Sequence, residues 1–307
     1  MKTLILKSDK DSFEKFFLNN MQNENVDTYS VYKQRKGILY FLSVIWMQHL
    51  HLPFEKVWYN SWKRHLINYE CVIVFDRVLS WKILRYIHHY NPKCRIIFWY
   101  WNTIDNKKNK LIKTQYREYC EVWSFDKVDC KKYNLKYNIQ FYFIQPKNTK
   151  TEYKYDAIFI GYDKGRFEIV KTMNKILKEK GYRTLIKIVR DETSVDKDDD
   201  LYCDNGIPYQ NILKLIKESK SIIDVPQEGQ AGITMRVLES LFHERKLITT
   251  DEKISKYDFY NGDNIFIWKE GSGVDLAALF SKAYIENKNS ILQNNSFEKW
   301  LENFKVY

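Results

Sequence analysis

Two short stretches of this chain combine glycine, hydroxyl and cationic side chains at spacings suited to holding an anion. The first is Gly161-Tyr162-Asp163-Lys164-Gly165-Arg166. The second runs Gly229-Gln230-Ala231-Gly232-Ile233-Thr234-Met235-Arg236, with Glu239 three residues on. A glycine lets a phosphate approach the main chain closely, a threonine offers a hydroxyl, and lysine or arginine supplies the charge that phosphate oxygens bind. A carboxylate in the second turn of the helix that follows can accept two hydrogen bonds from a ribose diol. A third candidate is the acid that ends an apolar run: Asp76, after CVIVF from Cys71 to Phe75, stands where a carboxylate can take a proton from a hydroxyl. Asp9, after the first apolar run, and Asp105 are its rivals. Each has a structural alternative. Arg236 and Glu239 can form a surface ion pair worth roughly 0.2–0.5 kcal/mol. Asp76 can instead cap a helix.

The elements that must position these residues follow from the apolar pattern. Ile222, Ile223 and Val225 suit a buried strand. Thr234 is expected to cap a helix with Met235, Val237, Leu238, Leu241 and Phe242 on its inner face, and KLITT, from Lys246 to Thr250, reads as the next strand. Strand, glycine-bearing loop, helix and strand make a βαβ unit, which points backbone N–H groups and a positive helix end at the carboxyl edge of the sheet. The same pattern precedes it. YDAIFIG, from Tyr155 to Gly161, is a strand, and the helix after Arg166 runs to Gly181. Further strands are expected at Thr3 to Leu6, Thr28 to Tyr32, Cys71 to Asp76, Arg95 to Asn102, Glu121 to Asp126, Gln140 to Ile144, Thr184 to Val189 and Asn264 to Trp268, with helical spacing between many of them. That alternation predicts an α/β fold with parallel sheets. The polar stretch from Pro146 to Lys154 divides it into two domains, 1–148 and 149–307.

Composition narrows the function classes. The chain has 307 residues, 44% of them hydrophobic and 16% aromatic, so two ordinary cores are within reach and wholesale disorder is excluded. A formal net charge of +11 fits nucleic acid, an anionic membrane or phosphate-bearing small molecules. The basic residues are scattered among acids without an arginine-rich tail, which favours the last two, and no nucleic-acid partner is expected. The five cysteines form no CxxC pair and read as reduced thiols of a cytoplasmic protein, not as a zinc site. DKDDD, from Asp196 to Asp200, lacks an apolar strand before it and reads as a solvated loop, so no metal ligand is expected there. There is no G-x-G-x-x-G, which disfavours a dinucleotide-binding dehydrogenase. His88 and His89 fall on a helix as surface or packing residues. The aromatic segment from Trp58 to His65, with Trp99 and Trp101, is either core or a stacking surface for sugars. The N-terminus has no signal-peptide pattern. The longest apolar stretch, Gly37 to Leu52, falls short of the ~20 residues that span a bilayer. It is expected as a core helix; the alternative, given Lys33, Arg35 and Lys36 before it, is an interfacial helix among anionic headgroups.

The run Gln230-x-Gly232-x-Thr234-x-Arg236-x-x-Glu239 followed by KLITT resembles the donor-site signature of GT-B glycosyltransferases, particularly small bacterial enzymes of lipopolysaccharide and capsule synthesis. The turn Gly161 to Arg166 is similar to the first turn of their donor domain. The resemblance is strongest over Tyr155 to Trp268 and rests on order of elements before that. It implies two Rossmann-like domains facing a central cleft, with the last helix, carrying Phe297, Trp300, Leu301 and Phe304, crossing back onto the first. It implies a nucleotide-sugar donor held by Gly161, Lys164, Arg166, Gly232, Thr234, Arg236 and Glu239, without a metal or other cofactor. The acceptor would be a glycan or lipid-linked glycan, at the cytoplasmic face of a bacterial membrane. The base for an inverting reaction would come from the first domain, as Asp76 or Asp9. The commoner retaining pattern has a Glu where this chain has Ala231, and Glu228 is out of register, so the stereochemical course stays open. Two other readings remain: a non-catalytic basic α/β module for RNA or anionic membrane, and a sugar-nucleotide epimerase of similar two-domain fold.

Overall fold

The structure is a computed structural model that describes residues 1–34, 37–50, 52–105, 109–144, 152–195, 199–269 and 276–305. The chain divides into two compact units, Met1–Ile139 and Gln140–Tyr307. Most of the polar stretch expected as the boundary, along with Arg35, Lys36, Val274 and the Asp196–Asp198 part of the acidic loop, lies outside the described residues.

The first unit contains strands β1 (Thr3–Lys7), β2 (Val26–Ser30), β3 (Cys71–Phe75), β4 (Arg95–Tyr100), β5 (Glu121–Ser124) and β6 (Lys136–Tyr137). Its helices are α1 (Ser12–Met21), α2 (Ile38–Val44), α3 (Lys82–Tyr90), α4 (Thr114–Arg117) and α5 (Lys127–Tyr133). The strands form one parallel sheet in the order β2-β1-β3-β4-β5-β6. β1 and β3 are buried along their whole length, as parallel strands covered on both faces must be, and that is why both read as unbroken apolar runs. Asp11 and Asp126 cap α1 and α5 by accepting helix N–H groups.

The second unit contains β7 (Tyr155–Tyr162), β8 (Thr184–Val189), β9 (Tyr202–Cys203), β10 (Ser219–Asp224), β11 (Lys246–Thr249) and β12 (Ile265–Ile267). Its helices are α6 (Phe167–Glu179), α7 (Tyr209–Lys217), α8 (Met235–Phe242), α9 (Leu276–Ser281), α10 (Asn289–Asn294) and α11 (Phe297–Asn303). The parallel sheet runs β12-β11-β10-β7-β8-β9. Counted from β7, this is the doubly wound 3-2-1-4-5-6 order of a Rossmann-like domain. The expected α/β class with two Rossmann-like sheets is therefore observed.

Two expectations change, and a third is narrowed to one of its two alternatives. Gln140 to Ile144 forms no regular strand: Tyr142 makes a single bridge to Ser296, and β6 closes the first sheet instead. The segment has aromatic side chains at alternate positions, but they pack on α11 rather than in a ladder. Phe141 and Phe143 meet Phe297 and Trp300 within the second unit. The stretch from Gly37 is an α-helix only to Val44 and continues as a π-helical turn over Ile45–His49; Ser43 and Met47 are buried, while Ile38, Leu39, Phe41, Leu42 and Leu50 are exposed rather than core. The aromatic residues Trp62 and Trp99 are fully buried core, and Trp101 is nearly so. No helix among the described residues is long and apolar enough to cross a membrane.

Candidate functional site

In an open parallel sheet the ligand crevice forms at the carboxyl ends of the two strands whose connections leave in opposite directions. In the second unit those strands are β7 and β10. Gly161 stands near the end of β7 and Asp224 ends β10. Arg166, Arg236 and Thr234 converge on this edge.

Asp224 is fully buried. Its Oδ1 accepts from Thr234 Oγ1 at 2.8 Å and its Oδ2 from Thr249 Oγ1 at 3.0 Å. The Arg236 guanidinium lies 3.7 Å from the same carboxylate. Burial pushes the Asp224 carboxyl up, opposed by Arg236 and the two hydroxyls. Thr234 caps α8 as expected, accepting the N–H of Val237, and so joins the helix start to the acid.

The two arginines differ in what they are free to do. Arg166 is buried and bonded to three backbone carbonyls: Nη1 to Val225 at 2.7 Å, Nη2 to Tyr162 at 2.5 Å and Nε to Asp163 at 3.0 Å. It clamps the loop after β7 to the loop after β10. Burial, then the neighbouring Arg236, brings its pKa down to about 9. Arg236 is loosely held. It reaches the Ile160 carbonyl at 3.4 Å, stacks over Phe159 at 4.8 Å, and its Nε has no hydrogen-bond partner among the described residues. Gly161 is what admits it: a Cβ there would stand 2.2 Å from Arg236 Nη2.

The turn Gly161 to Arg166 meets its own carboxylates. Lys164 adopts φ +49° and Gly165 φ +74°, and their N–H groups donate to Asp191 Oδ2 and Thr193 Oγ1. Asp163 Oδ1 takes the N–H groups of Arg166 and Phe167 at the start of α6, while its Oδ2 accepts from Ser194 and Tyr202. The amides at this helix start thus have an internal anion. The Lys164 side chain is exposed at the rim. At the start of α8, Thr234 accepts the N–H of Val237 and donates to Asp224. Gly232 is half-buried in the loop before it, its carbonyl bonded by Gln230 Nε2 at 3.1 Å.

Glu239 is buried on the inner side of α8, where Tyr209 donates to its Oε1 at 2.8 Å. The chain continues through Tyr142, 2.8 Å from Tyr209, to His243 Nε2 at 3.2 Å. With Tyr209 donating to Glu239, Tyr142 donates to Tyr209 and accepts from the His243 Nε2–H, leaving Nδ1 as the bare acceptor. Burial raises Glu239 to about 7 and lowers His243 to about 4. No pattern in the chain marks Tyr142, Tyr209 or His243 as site residues. Asp224 had the same mark as Asp76, an acid closing an apolar strand.

In the first unit the crevice strands are β1 and β3. Asp76 follows β3 and is buried. Its Oδ2 accepts from the Asn102 N–H at 2.9 Å, Asn102 Nδ2 at 3.1 Å and Asn109 Nδ2 at 3.0 Å. Burial raises its pKa against the pull of Arg77, Asn102 and Lys7. Lys7, at the end of β1, is buried, pairs with Glu14 at 3.1 Å and lies 4.7 Å over Trp101. Asp9 is half-buried and accepts from Ser30 Oγ at 2.7 Å, and Asp105 is exposed. His88 and His89 are exposed on α3.

A scan against models of known protein families matches none, and a search of curated proteins finds no relative of this chain. Among the described residues no cluster of His, Cys, Asp and Glu has a metal-holding arrangement, and the five cysteines are unpaired.

Proposed function

We propose that this chain is a glycosyltransferase of the GT-B type, which moves a sugar from a nucleotide-sugar donor to a glycan or lipid-linked glycan acceptor of a bacterial surface polysaccharide. The reading is supported chiefly by Arg236: a partly exposed, loosely held guanidinium at the switch point of a Rossmann-like sheet, beside a glycine and the start of α8. Breaking the bond between the anomeric carbon and the diphosphate leaves negative charge on the leaving oxygen. A fixed guanidinium and helix N–H groups in a crevice stabilise that charge as it develops. In this reading Arg236, Lys164 and the loop at Gly232 hold the diphosphate. Arg166 holds the loops in place rather than the ligand. Glu239, anchored by Tyr209, presents its second oxygen to the ribose.

The acceptor hydroxyl must lose a proton as it attacks. Asp76 is assigned as base: its carboxyl is raised by burial, which brings it closer to the affinity a base needs. Asp9, bonded to Ser30, is the second choice. We place the reaction in the cytoplasm, at the inner face of the membrane. The test is release of the nucleotide (a nucleoside diphosphate, or CMP from a CMP-sugar) and transfer of labelled sugar from a panel of UDP-, GDP-, CMP- and dTDP-sugars to surface-glycan acceptors. Asp76→Asn should lower turnover by roughly 10²–10⁴-fold with the donor still bound. Absence of turnover with every donor, or an Asp76→Asn variant as fast as the parent, would remove the assignment.

A further inference from the structure

The sequence between Thr28 and Tyr69 contains one acid, Glu55, against six Lys and Arg. That acid is buried: its carboxylate pairs with Lys82 at 3.4 Å and accepts from Tyr59. The surface of this segment therefore presents no negative charge of its own among the described residues. It presents an apolar face instead. Ile38 is 72% exposed, Phe41 62% and Phe54 69%, and Leu39, Leu42 and Leu50 are exposed beside them. Ser43 is the one buried residue of α2. A helix whose aliphatic and aromatic side chains face outward in this number gains nothing in water.

The apolar face is tied to a basic cluster. Trp46 Nε1 donates to the Pro53 carbonyl at 2.9 Å and its ring meets Trp58 at 6.0 Å. The Lys33 N–H donates to the Trp58 carbonyl at 3.0 Å, and Lys63 Nζ to the Lys56 carbonyl at 2.6 Å. Lys63 is held below its ordinary pKa first by desolvation, then by Lys33, Arg64 and Lys56 around it. Lys63 thus stands among three other cations, next to exposed Phe54 and Val57.

We infer that the α2 face with Leu50 and Phe54 docks this unit on an anionic phospholipid bilayer. The apolar side chains enter the headgroup and acyl boundary, and Lys33, Lys56, Lys63 and Arg64 lie against lipid phosphates. An apolar surface rimmed by one sign of charge matches a membrane of the opposite sign, whose potential attracts each added cation. A protein partner would have to match both features with one acidic, apolar patch. The assignment is independent of the glycosyltransferase reading, because no residue of either switch point takes part.

The test is co-sedimentation of the full chain with vesicles of phosphatidylcholine alone and of phosphatidylcholine mixed with phosphatidylglycerol. Binding is expected to the mixed vesicles and to weaken as salt is raised. Phe41→Asp with Leu42→Asp should cut that binding by ~10-fold or more. Both positions are exposed, so circular dichroism should be unchanged. Lys63→Glu with Arg64→Glu should cut it by roughly tenfold and flatten the salt dependence. Equal sedimentation with both vesicle types, none with either, or unchanged binding in the aspartate variant would overturn the inference. A chain that self-associates without lipid, becomes monomeric in the aspartate variant and ignores vesicles would assign the face to a second copy instead.

Discussion

The two sheets share parallel strands and six-strand size, yet their switch points are furnished in opposite ways. In the first unit the acid at the crevice, Asp76, is held by neutral amides, and the buried cation, Lys7, is paired off by Glu14. In the second unit the acid, Asp224, is held by two hydroxyls deep under the edge, and a guanidinium lies above it with long contacts. One edge thus presents a carboxylate and the other a cation. In the proposed reading, the first edge would supply a proton acceptor and the second an anion holder. Strand topology positions a crevice, and the side chains that close each strand decide its chemistry.

The comparison breaks most severely at Asp224. Asp224→Ala removes the carboxylate under Arg236 and leaves Thr234 and Thr249 without their acceptor, so it should cost about 3–5 kcal/mol, read as a loss of denaturation midpoint. Asp224→Asn keeps the shape and should cost less. A variant with alanine as stable as the parent would mean the acid does not organise the edge.

The Glu239 to His243 chain sharpens the contrast through pH. Glu239 is raised in the folded protein from 4.5 to about 7, so its contribution is present below pH 4.5 and is lost as pH rises to 7. His243 is lowered from 6.5 to about 4, so its contribution is present above pH 6.5 and is lost as pH falls to 4. Each is worth about 3 kcal/mol over its window, with opposite sign, and they offset each other between pH 4.5 and 6.5. Glu239→Gln should therefore expose a stability that falls with acid from pH 6.5 to 4. His243→Gln should expose one that falls with base from pH 4.5 to 7. Chemical denaturation at a series of pH values reads both, and variant profiles parallel to the parent would contradict the assignment. The smallest effect belongs to Thr249→Val, which deletes the hydrogen bond to Asp224 and the one accepted from the Asp251 N–H, and should cost about 1–2 kcal/mol at equilibrium unfolding.

Much of this architecture was legible before the structure. CVIVF is buried along its length because a parallel strand covered on both faces needs apolar side chains at every position, and YDAIFIG is buried over Asp156 to Phe159. Thr234 caps α8 because a hydroxyl before an apolar helical pattern satisfies an end N–H. What escaped was set by distance in sequence. Arg166 and Lys164 had the right types for an anion, but the partner that fills their turn, Asp191, comes from a loop 25 or more residues away. Tyr142 and Tyr209 meet Glu239 only through the fold. The stretch from Gly37 looked like core by composition, since a membrane face and a core helix use the same residues and periodicity cannot separate them.

The central claim is that a nucleotide diphosphate binds at the second unit's switch point through Arg236. Thermal shift with UDP, GDP, CMP and dTDP on the parent and on Gly161→Ala tests it most directly. Alanine at 161 displaces the flexible end of Arg236, so the unliganded variant should melt near the parent. A ligand at 100 times its dissociation constant adds ~2.7 kcal/mol. For the parent that corresponds to a rise on the order of 2–4 °C per kcal/mol, with one nucleotide and not the others. The account predicts that rise in the parent and its loss in Gly161→Ala. A rise of the same size in both, or none in the parent with any nucleotide, would contradict it.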